Sequence, residues 1–163
     1  MPDDAATVTV TRSINAPAER VWAMISDVTR MGEWSPETES AVWLGGASGP
    51  APGAKFRGTN RNGKKSWKSV STVVDAAPGR SFSFHVKAVG LDVADWGYSI
   101  EPAGAGCTVT EHWTDRRGAL MRIMSGTATG VPDRASHNRR GMEQTLERLA
   151  AAAEAQAGGS VPS

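Results

Sequence analysis

The chain has 163 residues, and its 18 lysines and arginines stand against 17 aspartates and glutamates for a formal charge of +1. That length reads as one domain able to bury its own core, and so balanced a charge supplies no global field to draw nucleic acid or an anionic membrane. A single cysteine, Cys107, excludes an internal disulfide, and no apolar run is long enough to span a bilayer, which excludes an integral membrane role.

The first residues lack the basic and apolar regions of a signal peptide, so a cytoplasmic protein is expected. Residues 1–6 and 158–163 are expected to be disordered tails around a domain over 7–157. From Val8 to Ile14 apolar and polar residues alternate, the period of a strand buried on one face. Pro17 suits the first position of a helix, Glu19 favours the positive helix end, and Ala18, Val21, Trp22 and Ile25 form an apolar stripe. Asp27 and Thr29 suggest a break before a second short helix that leads to Trp34.

Ala41 to Leu44 is a short apolar strand that ends in a loop over Gly45 to Gly53. Strands resume at Lys55, where Phe56, Gly58 and Asn60 alternate with Arg57, Thr59 and Arg61, and Asn62-Gly63 is a hairpin signal. The return strand runs from about Lys64 to Ala76. Pro78-Gly79 makes the next turn, followed by strands carrying Phe82, Phe84 and Val86, then Trp96, Tyr98 and Ile100, then Val109, Glu111 and Trp113. Short connections make the sheet antiparallel. Leu120, Met121, Ile123 and Met124 form a short apolar helix or flap, with a hinge over Ser125 to Gly130. From Pro132 to Ala157 one long helix carries Ala135, Met142, Leu146, Leu149 and Ala153 along one stripe.

A curved sheet crossed by a straight helix leaves space between the two. Alternation turns Phe56, Trp67, Phe82, Phe84, Trp96, Tyr98 and Trp113 toward that space, with Met142 and Leu146 facing them. These side chains are either plain core or the wall of a pocket. Six tryptophans beside a single tyrosine weigh toward a pocket lined by rigid aromatics.

The order of elements, with Ile14-Asn15-Ala16-Pro17-Ala18-Glu19-Arg20-Val21-Trp22, Asp27, Glu33-Trp34-Ser35-Pro36 and Pro52-Gly53-Ala54-Lys55-Phe56, resembles the START-like superfamily. Within it, the chain is most similar to the bacterial polyketide cyclase/dehydrase and lipid-transport group, the SRPBCC proteins. The resemblance runs from about Val8 to Ala157 and implies an α+β helix-grip fold. That fold has a seven-stranded curved antiparallel sheet, two short helices after the first strand, and a long C-terminal helix over the concave face, enclosing a hydrophobic cavity. Such proteins include cyclases, hydroxylase domains, lipid carriers and hormone receptors, so fold alone does not settle function.

Glu111 shares a face with Val109 and Trp113, which points a carboxylate into the cavity. It is a candidate acid or base, and Tyr98, which carries a hydroxyl on an otherwise apolar face, is the other candidate catalytic group. The alternative is a structural ion pair with Arg12, which shares a face with Val8, Val10 and Ile14 on the neighbouring first strand. Asn60, Ser69 and Ser71 are further inward polar groups that either orient a ligand or bond a neighbour's backbone. The residues expected to contact a ligand are Phe56, Trp67, Phe82, Phe84, Trp96, Tyr98, Glu111 and Trp113 from the strands, Met121 and Met124 from the flap, and Met142 and Leu146 from the last helix.

His85 and His112 fall on the opposite face and His137 near the start of the last helix, so no metal and no cofactor is expected. No nucleophile-base pair is legible, and Cys107 has no activator. Arg57, Arg61, Lys64, Lys65 and Lys68 read as a solvated hairpin rather than a nucleic-acid surface. The Gly45–Gly53 loop and the Leu120–Met124 flap are expected to form the two rims of the cavity mouth, although the flap residues also suit a satellite core. These features fit a binder of a hydrophobic small molecule such as a polyketide, lipid or aromatic metabolite, acting as a monomer or weak homodimer. Two alternatives are a cyclase/dehydrase that acts by ligand orientation and acid-base catalysis, and a stress-response or toxin-like regulatory partner protein.

Overall fold

Strand β1 (Thr7–Ile14) opens the chain in a computed structural model that describes residues 6–159. Of the tails expected over residues 1–6 and 158–163, residues 1–5 and 160–163 lie outside the described residues. Ala6 is already in place, its carbonyl accepting the Asp115 N–H at 2.8 Å. Helix α1 (Ala18–Ser26), a 3-10 turn (Val28–Arg30) and helix α2 (Met31–Trp34) lead to strands β2 (Thr38–Leu44), β3 (Lys55–Asn62), β4 (Lys65–Ala77), β5 (Ser81–Ala88), β6 (Leu91–Ala103) and β7 (Gly106–Asp115). Helices α3 (Ala119–Thr129) and α4 (Arg134–Gly159) complete the fold, so Gly158 and Gly159 belong to helix and not to a tail.

The strands form one seven-stranded sheet in the order β1-β7-β6-β5-β4-β3-β2, antiparallel throughout. Hairpin links run from β2 to β7, and β1 returns beside β7. The first two strands are therefore opposite edges of the sheet, and α1 with α2 carries the chain from one edge to the other. Pro17 caps α1 from an extended conformation (φ −61°, ψ 143°) instead of opening its first turn. A proline ring favours that φ on either side of the boundary.

The β3–β4 turn consists of Gly63 (φ +61°) and Lys64, with Asn62 paired to Lys65. Asn62 is thus strand and not turn, and its side-chain amide reaches the Thr129 carbonyl at 2.8 Å. The expected hinge over Ser125–Gly130 shrinks to Gly130, whose φ of +69° ends α3. Ser125 to Thr129 stay helical because their turn is tied elsewhere: Thr129 Oγ1 donates to the Ser125 carbonyl at 2.6 Å, and Arg117 Nη1 donates to Ser125 Oγ at 2.7 Å.

Helix α4 divides along its length. Its C-terminal half carries Leu146, Leu149, Ala150 and Ala153 into the main core with Ile14, Val21, Phe82 and Val109. Alanines there let the helix lie close to β1 and α1. The N-terminal half carries Asn138, Met142 and Thr145 on its inner side, and it roofs a space over the other end of the sheet. Strand β7 alternates strictly, with Cys107, Val109, Glu111, Trp113 and Asp115 all buried and pointing inward.

Candidate functional site

Between the sheet and the N-terminal half of α4 lies a cavity of about 470 Å³, within the size range of small-molecule sites. Phe56, Phe84, Trp96 and Trp113 form its apolar floor from β3, β5, β6 and β7, and Met142 faces them from α4. Phe56 and Phe84 meet edge to face at 5.1 Å, and Trp96 and Trp113, paired across β6 and β7, stand 6.5 Å apart. Trp67 closes the β4 side, and Met121 and Met124 close the α3 side.

Phe82 and Leu146, expected here, lie elsewhere. Both are fully buried in the main core, under the half of α4 that touches the sheet, and neither borders the cavity. Face alternation places Phe82 inward correctly, but it does not say where along the strand the helix lifts away. The Gly45–Gly53 loop also departs from expectation, because it sits at the Lys55 end of β3 and does not line the cavity. At the other end, Val89 of the β5–β6 turn and Met121, Met124 and Ser125 of helix α3 line the cavity.

At the floor the Tyr98 hydroxyl donates to Glu111 Oε1 at 3.0 Å, the two residues facing each other across β6 and β7. Glu111 is 2% exposed, and its Oε2 has no hydrogen-bond partner. Burial pushes the Glu111 carboxyl up to about 8, against the opposing pull of the Tyr98 hydrogen bond. Near neutral pH the group is therefore mostly a neutral acid, accepting at one oxygen and able to donate from the other. Burial, with the Glu111 charge and hydrogen bond, raises the Tyr98 phenol well above its usual value, so it stays a hydroxyl. The ion pair with Arg12 does not form. Arg12 is exposed on the edge strand and pairs with Val109, while Val10 stands opposite Glu111. A long side chain on an edge reaches solvent more cheaply than it enters a core.

A polar wall on the β3–β4 side escapes the sequence reading in part. Asn60, Ser69 and Ser71 line the cavity as expected, with Thr38 Oγ1 donating to Asn60 Oδ1 at 3.2 Å and Asn60 Nδ2 donating to Ser69 Oγ at 3.1 Å. Unforeseen is Glu37, in the turn between α2 and β2. Its carboxylate accepts Arg134 Nη1 at 2.9 and 2.8 Å and lies 3.0 Å from His137 Nε2. Arg134 also lies over the Trp67 ring at 5.8 Å and donates to Asn138 Oδ1 at 3.3 Å. The sequence signal was the spacing Arg134, His137, Asn138, Gly141, Met142 and Thr145, one continuous helical face. A second cation lining the cavity, Arg117 just after β7, is spent on Asp115 through contacts of 2.9 and 2.8 Å. Although burial opposes ionisation there, the Arg117 hydrogen bonds hold the Asp115 carboxyl below its usual range.

His85 and His112 take the outer face, as expected, whereas His137 borders the cavity. His85 Nδ1 lies 2.5 Å from Asp95 Oδ1 and Nε2 lies 2.8 Å from Asp92 Oδ1. Cys107 is buried in the core, and burial raises its thiol pKa, which leaves it a poor nucleophile.

The family model described as polyketide cyclase/dehydrase and lipid transport matches residues 5–154. A polyketide cyclase-like protein of Corynebacterium glutamicum is 31% identical, with a TM-score of 0.52 over 90% of this chain and 96% of that one. A protein of Chromobacterium violaceum superposes with a TM-score of 0.67 at 17% identity, covering 91% of this chain and 97% of its own. The di-domain ARO/CYC StfQ from the steffimycin biosynthetic pathway gives a TM-score of 0.72 at 15% identity, over 94% of this chain and 52% of StfQ. Among curated protein sequences none matches.

Proposed function

The chain belongs to the polyketide cyclase/dehydrase and lipid transport family, and from that premise we propose that it binds one hydrophobic small molecule, a polyketide, lipid or aromatic metabolite, in the cavity beneath α4. The observation that carries the reading is the chemistry of the floor. At the floor of an apolar, aromatic chamber, the neutral Glu111 carboxyl is oriented by Tyr98 through one oxygen, and its other, buried oxygen has no partner among the described residues. An unpaired buried polar group is disfavoured in an empty site and satisfied by a ligand that brings an acceptor. The ligand is therefore read as mostly apolar, with a carbonyl or ether oxygen at the end that reaches Glu111. Its polar rim faces the Asn60, Ser69 and Glu37 wall.

Native mass spectrometry of the protein purified from its own host, with thermal shift against a panel of lipids, polyketides and aromatic ketones, tests this directly. A ligand that binds only the native state must raise the melting temperature. Glu111→Gln keeps a donor and should retain the shift, while Glu111→Leu should abolish it. A panel without any shift, and no retained molecule, would overturn the reading.

The same proton favours a second reading. A carboxylic acid that stays protonated up to about pH 8 is poised to protonate a carbonyl oxygen during condensation or loss of water. Conversion of a poly-β-keto compound by the wild type, reduced by roughly 10²–10⁴-fold in Glu111→Gln, would mark a cyclase/dehydrase rather than a carrier.

A further inference from the structure

Helix α3 is apolar on both sides. Met121 turns inward and is buried, and Met124 borders the cavity, yet Leu120 is 65% and Ile123 73% exposed. Lining the same cavity as α3 is the β5–β6 turn, where Val89 is 80% exposed and adopts φ +47°. A β-branched residue in the left-handed region is strained, and glycine or asparagine would sit there more easily. Valine at this point contributes nothing to the core. Two elements that line an apolar cavity thus also carry apolar side chains exposed to solvent.

Around these elements the cations outnumber the acids. Helix α3 contains no acidic residue and carries Arg122 between Leu120 and Ile123. The β3–β4 hairpin packs against its C-terminal end, through Asn62 and Thr129, and presents Lys64, Lys65 and Lys68. None of these three lysines has an ion pair among the described residues. The acids nearby are engaged: Asp115 by Arg117 and, at 3.9 Å, by Arg122, Asp95 by His85 and Arg116, and Asp92 by His85 and Lys87. A net charge of +1 conceals this local excess.

We propose that the face formed by α3, the Val89 turn and the Lys64–Lys68 hairpin docks on an anionic lipid bilayer, with Leu120, Ile123 and Val89 entering the headgroup region. Convex, isolated apolar side chains flanked by lysine and arginine are the pattern of interfacial membrane contact. A second copy of the chain is a poorer occupant. A two-fold interface through this face would set its cations against themselves, whereas anionic headgroups complement them. Docking here brings two elements that line the cavity against an apolar phase, so that a greasy ligand avoids crossing water.

Co-sedimentation with phosphatidylcholine vesicles, with and without about one third phosphatidylglycerol, tests the proposal without reference to what fills the cavity. The wild type should bind the anionic vesicles, bind neutral ones much less, and release as salt rises through the Debye-screening range. Ile123→Ser should weaken partitioning about tenfold, in line with loss of one buried aliphatic side chain. Val89→Asn relieves the strained turn, so it should keep or raise the melting temperature while weakening vesicle binding. Absence of binding to anionic vesicles overturns the proposal, as does binding by both variants equal to that of the wild type. A stable dimer in sedimentation velocity that Ile123→Ser dissolves would also overturn it, identifying the face as a self-interface.

Discussion

Glu111 is placed where a glutamate is least comfortable as an anion, and that makes it visible to a pH titration. Its folded pKa of about 8 lies above the ordinary carboxylate value near 4.5, so the folded state holds a proton that the unfolded state has released. The sign follows from linkage: with more protons bound when folded, stability falls as pH rises from about 4.5 through about 8. The full loss attributable to this one group is on the order of a few kcal/mol. Glu111→Gln should therefore flatten the descent in melting temperature between pH 5 and pH 9, each measured by calorimetry. A wild-type descent that the variant leaves intact would show that the carboxyl is not held protonated. Alternation in β7 was enough to turn Glu111 inward. Its partner was not legible, because whether Arg12 or Tyr98 reaches the carboxyl depends on side-chain direction at a sheet edge, which periodicity does not encode.

At the scale of elements, the β5–β6 hairpin is closed on its outer face by a charged clasp. His85 sits between Asp95 and Asp92, with Lys87 and Arg116 on the same two acids. Burial works against the imidazolium, but the hydrogen bonds to Asp95 and Asp92 outweigh it and raise the His85 pKa above the ordinary value near 6.5. The clasp's contribution is therefore complete below about pH 6.5 and lost as pH rises through the raised value. His85→Asn should remove that pH-dependent part, at less than about 1 kcal/mol, since Asp92 and the imidazole are both in contact with water. Nuclear magnetic resonance of the His85 ring should report a titration midpoint above that of a free imidazole; a midpoint at or below it would refute the clasp. The descent has the same direction as that of Glu111, so the double variant is needed to separate the two, and contributions from opposite faces of the sheet should add. Elements such as this hairpin were legible in the alternation of Phe82, Phe84 and Val86. Helix α3 was only half legible, since Ser125 to Thr129 favour no structure by themselves and are held helical by contacts from Arg117 and Asn62.

For the molecule as a whole, the hairpin-linked run of strands and the final helix followed from strand periods and short turns, while the position of the cavity did not. What decides it is the line along α4 where small residues give way to a helix that stands off the sheet. Leu149 lies wholly in the main core, whereas Met142 packs on Val8, Ala94 and Trp113 and also borders the cavity, though both belong to one apolar stripe in the sequence. Their substitutions should separate stability from binding. Leu149→Ala removes packing from a fully buried site and should lower stability by about 2–5 kcal/mol, roughly 4–20 °C in melting temperature, with ligand-induced shifts retained. Met142→Trp adds bulk into existing space and should cost about 1–3 kcal/mol at most, yet abolish the ligand-induced shift by filling the chamber. If Met142→Trp binds as well as the wild type, the ligand does not reach the roof. If Leu149→Ala is nearly neutral, the C-terminal half of α4 is not the anchor that holds the chamber open.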